Sequence, residues 1–286
     1  MFCWFCWGFS YPAAAFALRD FDVWTFRVLA MAPAGVIMLA YVKLRGGSIH
    51  VRPACRLPLV VAGLLNMSIF QIGITYGVDL LSSGRTAVIA YTMPLWAAVL
   101  AVWLLHERLT QARVAALLLG LAGLAVLMSQ DFANLKNAPL GAALTLLAAI
   151  SFGAGTVWMK RFDWAADVTA LGGWQLIAGS LPVIAIQLAV SPPLDWPNIG
   201  ADAWAGAIYS MLFANMLAYA AWFRVVARFP ATVSGLGSMA VPVIGVFASA
   251  ALLGEAIGWR ELAALGLVCG ALAIVVFAGP SPAKGQ

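Results

Sequence analysis

Residues 82–110 read SSGRTAVIAYTMPLWAAVLAVWLLHERLT, and residues 231–258 read ATVSGLGSMAVPVIGVFASAALLGEAIG. The two stretches share a plan. Small and hydroxyl residues open an apolar segment, a proline stands within it (Pro94, Pro242), and a Leu-Leu pair leads to a lone glutamate at the far end (Glu107, Glu255). The interval from proline to glutamate is 13 residues in both, and the prolines stand 148 residues apart in a chain of 286. Self-similarity at half the chain length marks a tandem duplication, with repeats at 1–130 and 131–286.

Hydrophobic residues make up 64% of the chain and charged residues 9%, for a mean hydropathy of +0.96. That is more apolar surface than a soluble core of this length can hide, so the chain reads as an integral membrane protein. It reads as all-α, because each apolar run is long and continuous where a barrel would alternate every second residue. A helix needs about 20 apolar residues to cross the hydrocarbon. On that basis ten spans are predicted, at 2–18, 24–43, 57–78, 84–105, 112–129, 139–159, 168–190, 203–225, 231–253 and 261–279. The opening MFCWFCW has no basic flank and is long and aromatic, so it is read as a span and not as a signal peptide.

With the N-terminus in the cytoplasm, the inside loops hold Lys43, Arg45, Arg52, Arg56, Arg108, Arg113, Lys160, Arg161, Arg224 and Arg228, and the outside loops only Arg19, Arg85, Lys136 and Arg260. The positive-inside rule then places both termini in the cytoplasm, in an inner (plasma) membrane. Five spans per repeat is an odd number, so the second repeat enters the bilayer from the opposite side. Two inverted five-helix repeats around a central cavity are a recurring design of secondary transporters. Arg27, one turn inside the second span, is expected to snorkel outward toward Asp20 or Asp22.

Polar groups at membrane depth point to the site. Asn66 lies near the middle of the third span and Asn215 near the middle of the eighth, its counterpart. An amide there needs another helix or a wet cavity; a role as interhelical glue is the bland alternative. Helical spacing sets Phe70, Gly73 and Gly77 on the face of Asn66, and Met211, Tyr219 and Trp222 on the face of Asn215. Trp7, Ser10 and Tyr11 of the first span and Thr156 of the sixth complete the expected lining, with Tyr91 beside Pro94 and Ser238 and Met239 beside Pro242. Pro94 and Pro242 should kink their spans and so supply hinges. Gly73xxxGly77 and Gly266xxxGly270 suit close helix packing, and Glu107 and Glu255 suit surface pairs or caps.

These features together resemble the drug/metabolite transporter superfamily and its EamA-type ten-helix proteins. The resemblance rests on ten spans in two repeats, the aromatic-Gly openings Trp7-Gly8 and Phe152-Gly153, the prolines of the fourth and ninth spans and the glutamate ending each. The abundance of tryptophan is most similar to the aromatic amino acid exporters of the YddG type. Family members carry amino acids, drugs, nucleotide sugars and triose phosphates, so the resemblance implies a carrier without fixing its cargo.

Other classes fit less well. The predicted spans hold no histidine and no central carboxylate, so an enzyme's acid-base pair or metal set is missing, and no filter signature suggests a channel. Cys3, Cys6, Cys55 and Cys269 form neither a disulfide framework nor a zinc pattern, and no cofactor is expected. A small-molecule substrate and the lipid bilayer are the expected partners, nucleic acid is not, and a monomer suits the sequence as well as a homodimer. The expected lining offers aromatic faces and neutral hydrogen-bonding groups without fixed charge, which suits a zwitterion with an apolar side chain. Hydrophobic or aromatic amino acids are therefore expected to cross by alternating access, as gradient-driven facilitation and outward in the cell. A multidrug or other metabolite carrier is the alternative.

Overall fold

The computed structural model describes residues 2–81, 86, 89, 90, 92–107, 110–128, 139–193, 196–230, 233, 234, 238, 240–253 and 257–277, and among them no strand occurs. The apolar helices among these residues are α1 (Phe2–Ala17), α2 (Val23–Leu44), α3 (Pro53–Leu80), α4 (Met93–Leu105), α5 (Gln111–Met128), α6 (Pro139–Lys160), α7 (Val168–Val190), α8 (Ala201–Arg228), α9 (Ala240–Leu253) and α10 (Trp259–Phe277). By length and composition α2, α3, α6, α7 and α8 can each cross a membrane. Large apolar side chains such as Leu44, Trp103, Leu118 and Leu188 point outward, as they must where the solvent is lipid.

Asp22 and Asp167 start α2 and α7 in the same way. Each carboxylate accepts the backbone N–H groups two and three residues on, Trp24 and Thr25 in one case, Thr169 and Ala170 in the other. These are donors that the first turn of a helix leaves without partners. The two caps open the matching Asp-Val pairs 22–23 and 167–168.

Helix packing repeats the duplication. α3 lies along α6 as α8 lies along α1, α4 meets α6 as α9 meets α1, and α3 touches α7 as α8 touches α2. Two further seams join equivalent helices, α2 with α7 and α5 with α10. Small residues make the close approaches. A Cβ on Gly73 would stand 2.6 Å from the Leu144 carbonyl oxygen, and one on Gly77 2.3 Å from Thr145 Oγ1. Gly266 differs from that expectation, since nothing lies within 4 Å of a Cβ there.

Loop contacts fix the direction of each half. Arg19 pairs with Asp202, and Asp20 accepts the Gly200 N–H, which brings residues 18–22 and 196–202 to one face. Arg45 pairs with Asp167, and Arg52 with Asp163, on the opposite face. α1 runs toward the first face, whereas α6 begins there, with Gly141 packed beside Leu80 and Leu81, and runs away from it. The halves are inverted.

Two departures from regular helix occur at matching places. α3 is π-helical over Leu64–Ile69 and α8 over Ser210–Leu217. A carbonyl inside each π stretch takes a donor from the first helix of the other half. Ser151 Oγ of α6 donates to Leu65 O at 2.7 Å, and Trp7 Nε1 of α1 donates to Ala214 O at 3.0 Å. Lipid could not supply those bonds.

At the expected mid-span kinks the described residues show helix breaks. A turn at Thr92 precedes α4 and a turn at Ser238 precedes α9, so Pro94 is the second residue of its helix and Pro242 the third. Residues 89, 90, 233 and 234 are helical again upstream of these turns. In a first turn the missing N–H has no intrahelical acceptor to lose, and the fixed φ of proline favours a helix start. Pro94 and Pro242 therefore begin helices where the unbroken apolar pattern suggested that they bend them. α4 closes at His106, which is left-handed at φ 54°, with the Glu107 N–H bonded to Ala101 O at 3.2 Å. Glu255 lies outside the described residues.

Candidate functional site

One cavity opens between the inverted halves. Trp7, Ser10, Tyr11 and Ala14 of α1 face Phe70, Gln71, Ile74 and Val78 of α3, and Ser210, Ala214, Asn215 and Tyr219 of α8 complete the ring with Arg27, Met93 and Phe152. About 50 Å³ of it has room for a water-sized group, against roughly 300–1,000 Å³ in pockets that enclose small ligands. The walls stand nearly closed here, and a metabolite requires them to part.

Aromatic rings close the end that faces the Arg45 and Arg52 side of the bundle. Trp7 meets Phe152, Tyr219 and Trp222 edge-on, with centroids 6.4, 5.3 and 5.4 Å away. Phe152 in turn lies 4.5 Å from Phe70 and 5.7 Å from Trp222. Such a stack buries apolar area while its ring edges hold fixed geometry.

A polar chain runs up one wall. Arg27 Nε donates to Thr75 Oγ1, and the Thr75 hydroxyl donates to Gln71 O at 2.7 Å. Gln71 Nε2 donates to Asn215 Oδ1 at 2.6 Å, and Asn215 Nδ2 donates to Ser210 O at 2.8 Å. Gln71, Thr75, Ser210 and Asn215 are all buried, and so is Arg27 at 6% exposure.

Arg27 overturns the expectation of an outward-snorkelling arginine. Neither acid it was expected to reach pairs with it: Asp20 accepts the Gly200 N–H, and Asp22 Oδ1 holds the α2 cap and accepts the Ser191 hydroxyl at 2.7 Å, while its buried Oδ2 has no partner. The guanidinium instead lies over the Phe26 ring, 4.7 Å from its centroid, and faces the cavity. The lining thus carries a fixed positive charge, contrary to the neutral lining expected from sequence.

Among the other residues singled out by sequence, Trp7, Ser10, Tyr11, Phe70, Asn215 and Tyr219 meet around this cavity. Asn66 turns away from it: its amide donates to Gln175 Oε1 on α7 at 2.9 Å, and its side chain fills the space over Gly155. Thr156 spends its hydroxyl on Phe152 O of its own helix, and Trp222 stands behind Trp7 and Phe152. Met211 packs half-buried against the core, and Ser238 is buried at the turn before α9. Tyr91 and Met239 lie outside the described residues. Gln71, Ser210 and Arg27 were not foreseen. Gln71 and Thr75, four residues apart on α3, were the available signal.

The EamA-like transporter profile matches residues 1–129 and again residues 139–277. The chain belongs to the EamA-like transporter family. It is 24% identical over 279 residues to the uncharacterized transporter YoaV of Bacillus subtilis, which covers 94% of this chain and 90% of the relative. The inner membrane transporter YedA of Escherichia coli K12 is 26% identical over 273 residues, covering 94% of this chain and 86% of the relative. A crystal structure of a further protein superposes with a TM-score of 0.82 at 20% identity, over 97% of this chain and 95% of the other. This EamA-family chain is accordingly a multi-pass membrane transporter of the drug/metabolite superfamily.

Proposed function

We propose that the protein carries small amphipathic metabolites, hydrophobic or aromatic amino acids foremost, across the inner membrane by alternating access. The observation that carries this reading is the cavity's position between two inverted halves, with an aromatic stack at one end. Inverted halves that exchange conformations yield outward- and inward-open states of similar energy. The rings of Trp7, Phe70, Phe152 and Tyr219 suit an apolar side chain, and Ser210, Gln71 and Asn215 suit its polar end.

The face bearing Lys43, Arg45, Arg52, Arg56, Lys160, Arg161, Arg224 and Arg228 is assigned to the cytoplasm, with both termini. The cavity then lies toward the outer side of the ring stack. Among the described residues its lining contains no carboxylate and no histidine, the groups on which proton coupling usually relies. Transport is therefore read as facilitation down the substrate gradient, outward in the cell. A flat amphipathic drug is the second cargo that the ring stack suits.

The test is uptake of L-phenylalanine into proteoliposomes without an imposed pH or voltage gradient. Saturable influx with counterflow is expected. Dependence on an inward proton gradient would overturn facilitation, flux that never saturates would favour a channel, and no protein-dependent flux would remove the amino acid assignment.

A further inference from the structure

We infer that Arg27 is the anchor for a carboxylate, so that the cargo is an organic acid or amino acid whose anionic end is gripped by the terminal guanidinium nitrogens. This rests on the cavity being the transport site. Arg27 is 94% buried by its 6% exposure, and a guanidinium keeps its proton in any protein setting. Among the described residues its one hydrogen bond runs from Nε to Thr75 Oγ1. Nε is the inner nitrogen of the group. The guanidinium lies over Phe26 and belongs to the cavity lining, and among the described residues its two outer nitrogens make no hydrogen bond.

A bare cation at membrane depth is costly, and such residues are retained where they meet an opposite charge or a substrate path. Among the described residues no carboxylate lines this cavity, and neither Asp20, which accepts the Gly200 N–H, nor Asp22, whose Oδ1 caps α2 and whose buried Oδ2 has no partner, pairs with Arg27. The missing anion is best supplied by the cargo, because a planar carboxylate matches the two-pronged guanidinium. A second group waits in the same space. Ser210 Oγ is buried, lines the cavity and has no hydrogen-bond partner. Its hydroxyl can donate to the carboxylate or accept from an amine. An amine on the cargo would otherwise face the Gln71 and Asn215 carbonyl oxygens and the ring faces, which favour cations.

The experiment compares matched ligands by thermal shift of the purified full-length protein. The probes are 3-phenylpropionate against its neutral amide, 3-phenylpropanamide, and L-phenylalanine against phenethylamine, which lacks the carboxylate. The acids should stabilise the protein and their partners should not. Arg27→Gln should weaken acid binding by about ten-fold or more, the scale of a lost charged hydrogen-bond pair. Arg27→Lys keeps the charge without the fork and should fall between the two, and it decides the matter if the Gln variant is not monodisperse.

Equal stabilisation by acid and amide, an acid preference that survives in Arg27→Gln, wild-type affinity in Arg27→Lys, or no binding of either acid would overturn the inference. Arg27-dependent acid binding without phenylalanine flux would sink the amino acid transport reading alone. Flux that persists unchanged in Arg27→Gln would keep that reading and remove this one.

Discussion

Gln71 donates to Asn215 across 2.6 Å and so ties the helix just beyond the first π stretch to the middle of the second. Asn66, the counterpart of Asn215 in the other half, is bonded away from the cavity to Gln175. The two asparagines therefore respond differently to the same change. Asn66→Ala should lower stability by about 1–3 kcal/mol, the cost of leaving a buried polar partner unpaired, with substrate affinity unchanged. Asn215→Ala should lower both. Thermal melts paired with counterflow measure the split, and an equal loss of affinity in the two variants contradicts it.

The carbonyls inside the π stretches make a second prediction. Ser151→Ala and Trp7→Phe each remove the donor to a buried main-chain oxygen. Each should cost about 1–3 kcal/mol in a melt. Trp7→Phe should also alter substrate binding, because its ring lines the cavity, whereas Ser151→Ala should not.

Alanine at the helix-starting prolines restores an N–H and lets α4 or α9 extend backward across the turns at Thr92 and Ser238. Pro94→Ala and Pro242→Ala should slow turnover while leaving binding within a few fold. Rapid-mixing flux assays on the double variant decide this. Wild-type turnover would reduce both prolines to packing.

Asp22 caps α2 outside the span. Burial, the largest influence, pushes its carboxyl up. Hydrogen bonds from the Thr25 and Ser191 side chains and from the Thr25 and Trp24 N–H groups outweigh it and hold the carboxyl below its ordinary value. The unfolded chain then binds more protons between the two values, so stability rises with pH across that window. The contribution is complete above an ordinary aspartate value of about 3.9 and fades as pH falls below it. In melts, the gap between wild type and Asp22→Asn should be flat near neutrality and narrow below about pH 4. A gap that widens on acidification would contradict the assignment.

The orientation is checked by labelling single cysteines in a cysteine-free background. Position 52 should react with a membrane-impermeant maleimide from the cytoplasm, and position 196 from outside. Labelling of both from one side would contradict residues 45–52 and 196–202 lying on opposite faces.

Most of the helices were legible because crossing hydrocarbon demands long apolar runs, and the inversion because each repeat holds an odd number of them. The π stretches were not. LLNMSI and SMLFANML have the composition of ordinary helix, and the wider turn depends on donors, Ser151 and Trp7, that come from distant helices. That altered turn is also why a regular 3.6-residue projection put Asn66 on the cavity face with Phe70. Arg27 was misread for a different reason. Proximity in sequence offered Asp20 and Asp22 as partners, but those acids hold the loop and the α2 cap while the Arg27 side chain turns inward to Thr75 and the cavity. The prolines marked where the fourth and ninth spans are interrupted, but not that the interruptions are full turns at Thr92 and Ser238, because hydropathy does not fall across them.

The seams between α2 and α7 and between α5 and α10 join like with like. A contact of that kind is one that a free five-helix chain, inserted in both orientations, could make with its own copy, as a two-fold dimer does. Fusion of two such copies would add no seam; it would fix their ratio and their opposed directions. What fusion permits is divergence. Once the halves need not share a sequence, one asparagine can settle into the scaffold beside Gln175 while its twin keeps to the cavity, and a single arginine can serve a site that two identical chains would have charged twice.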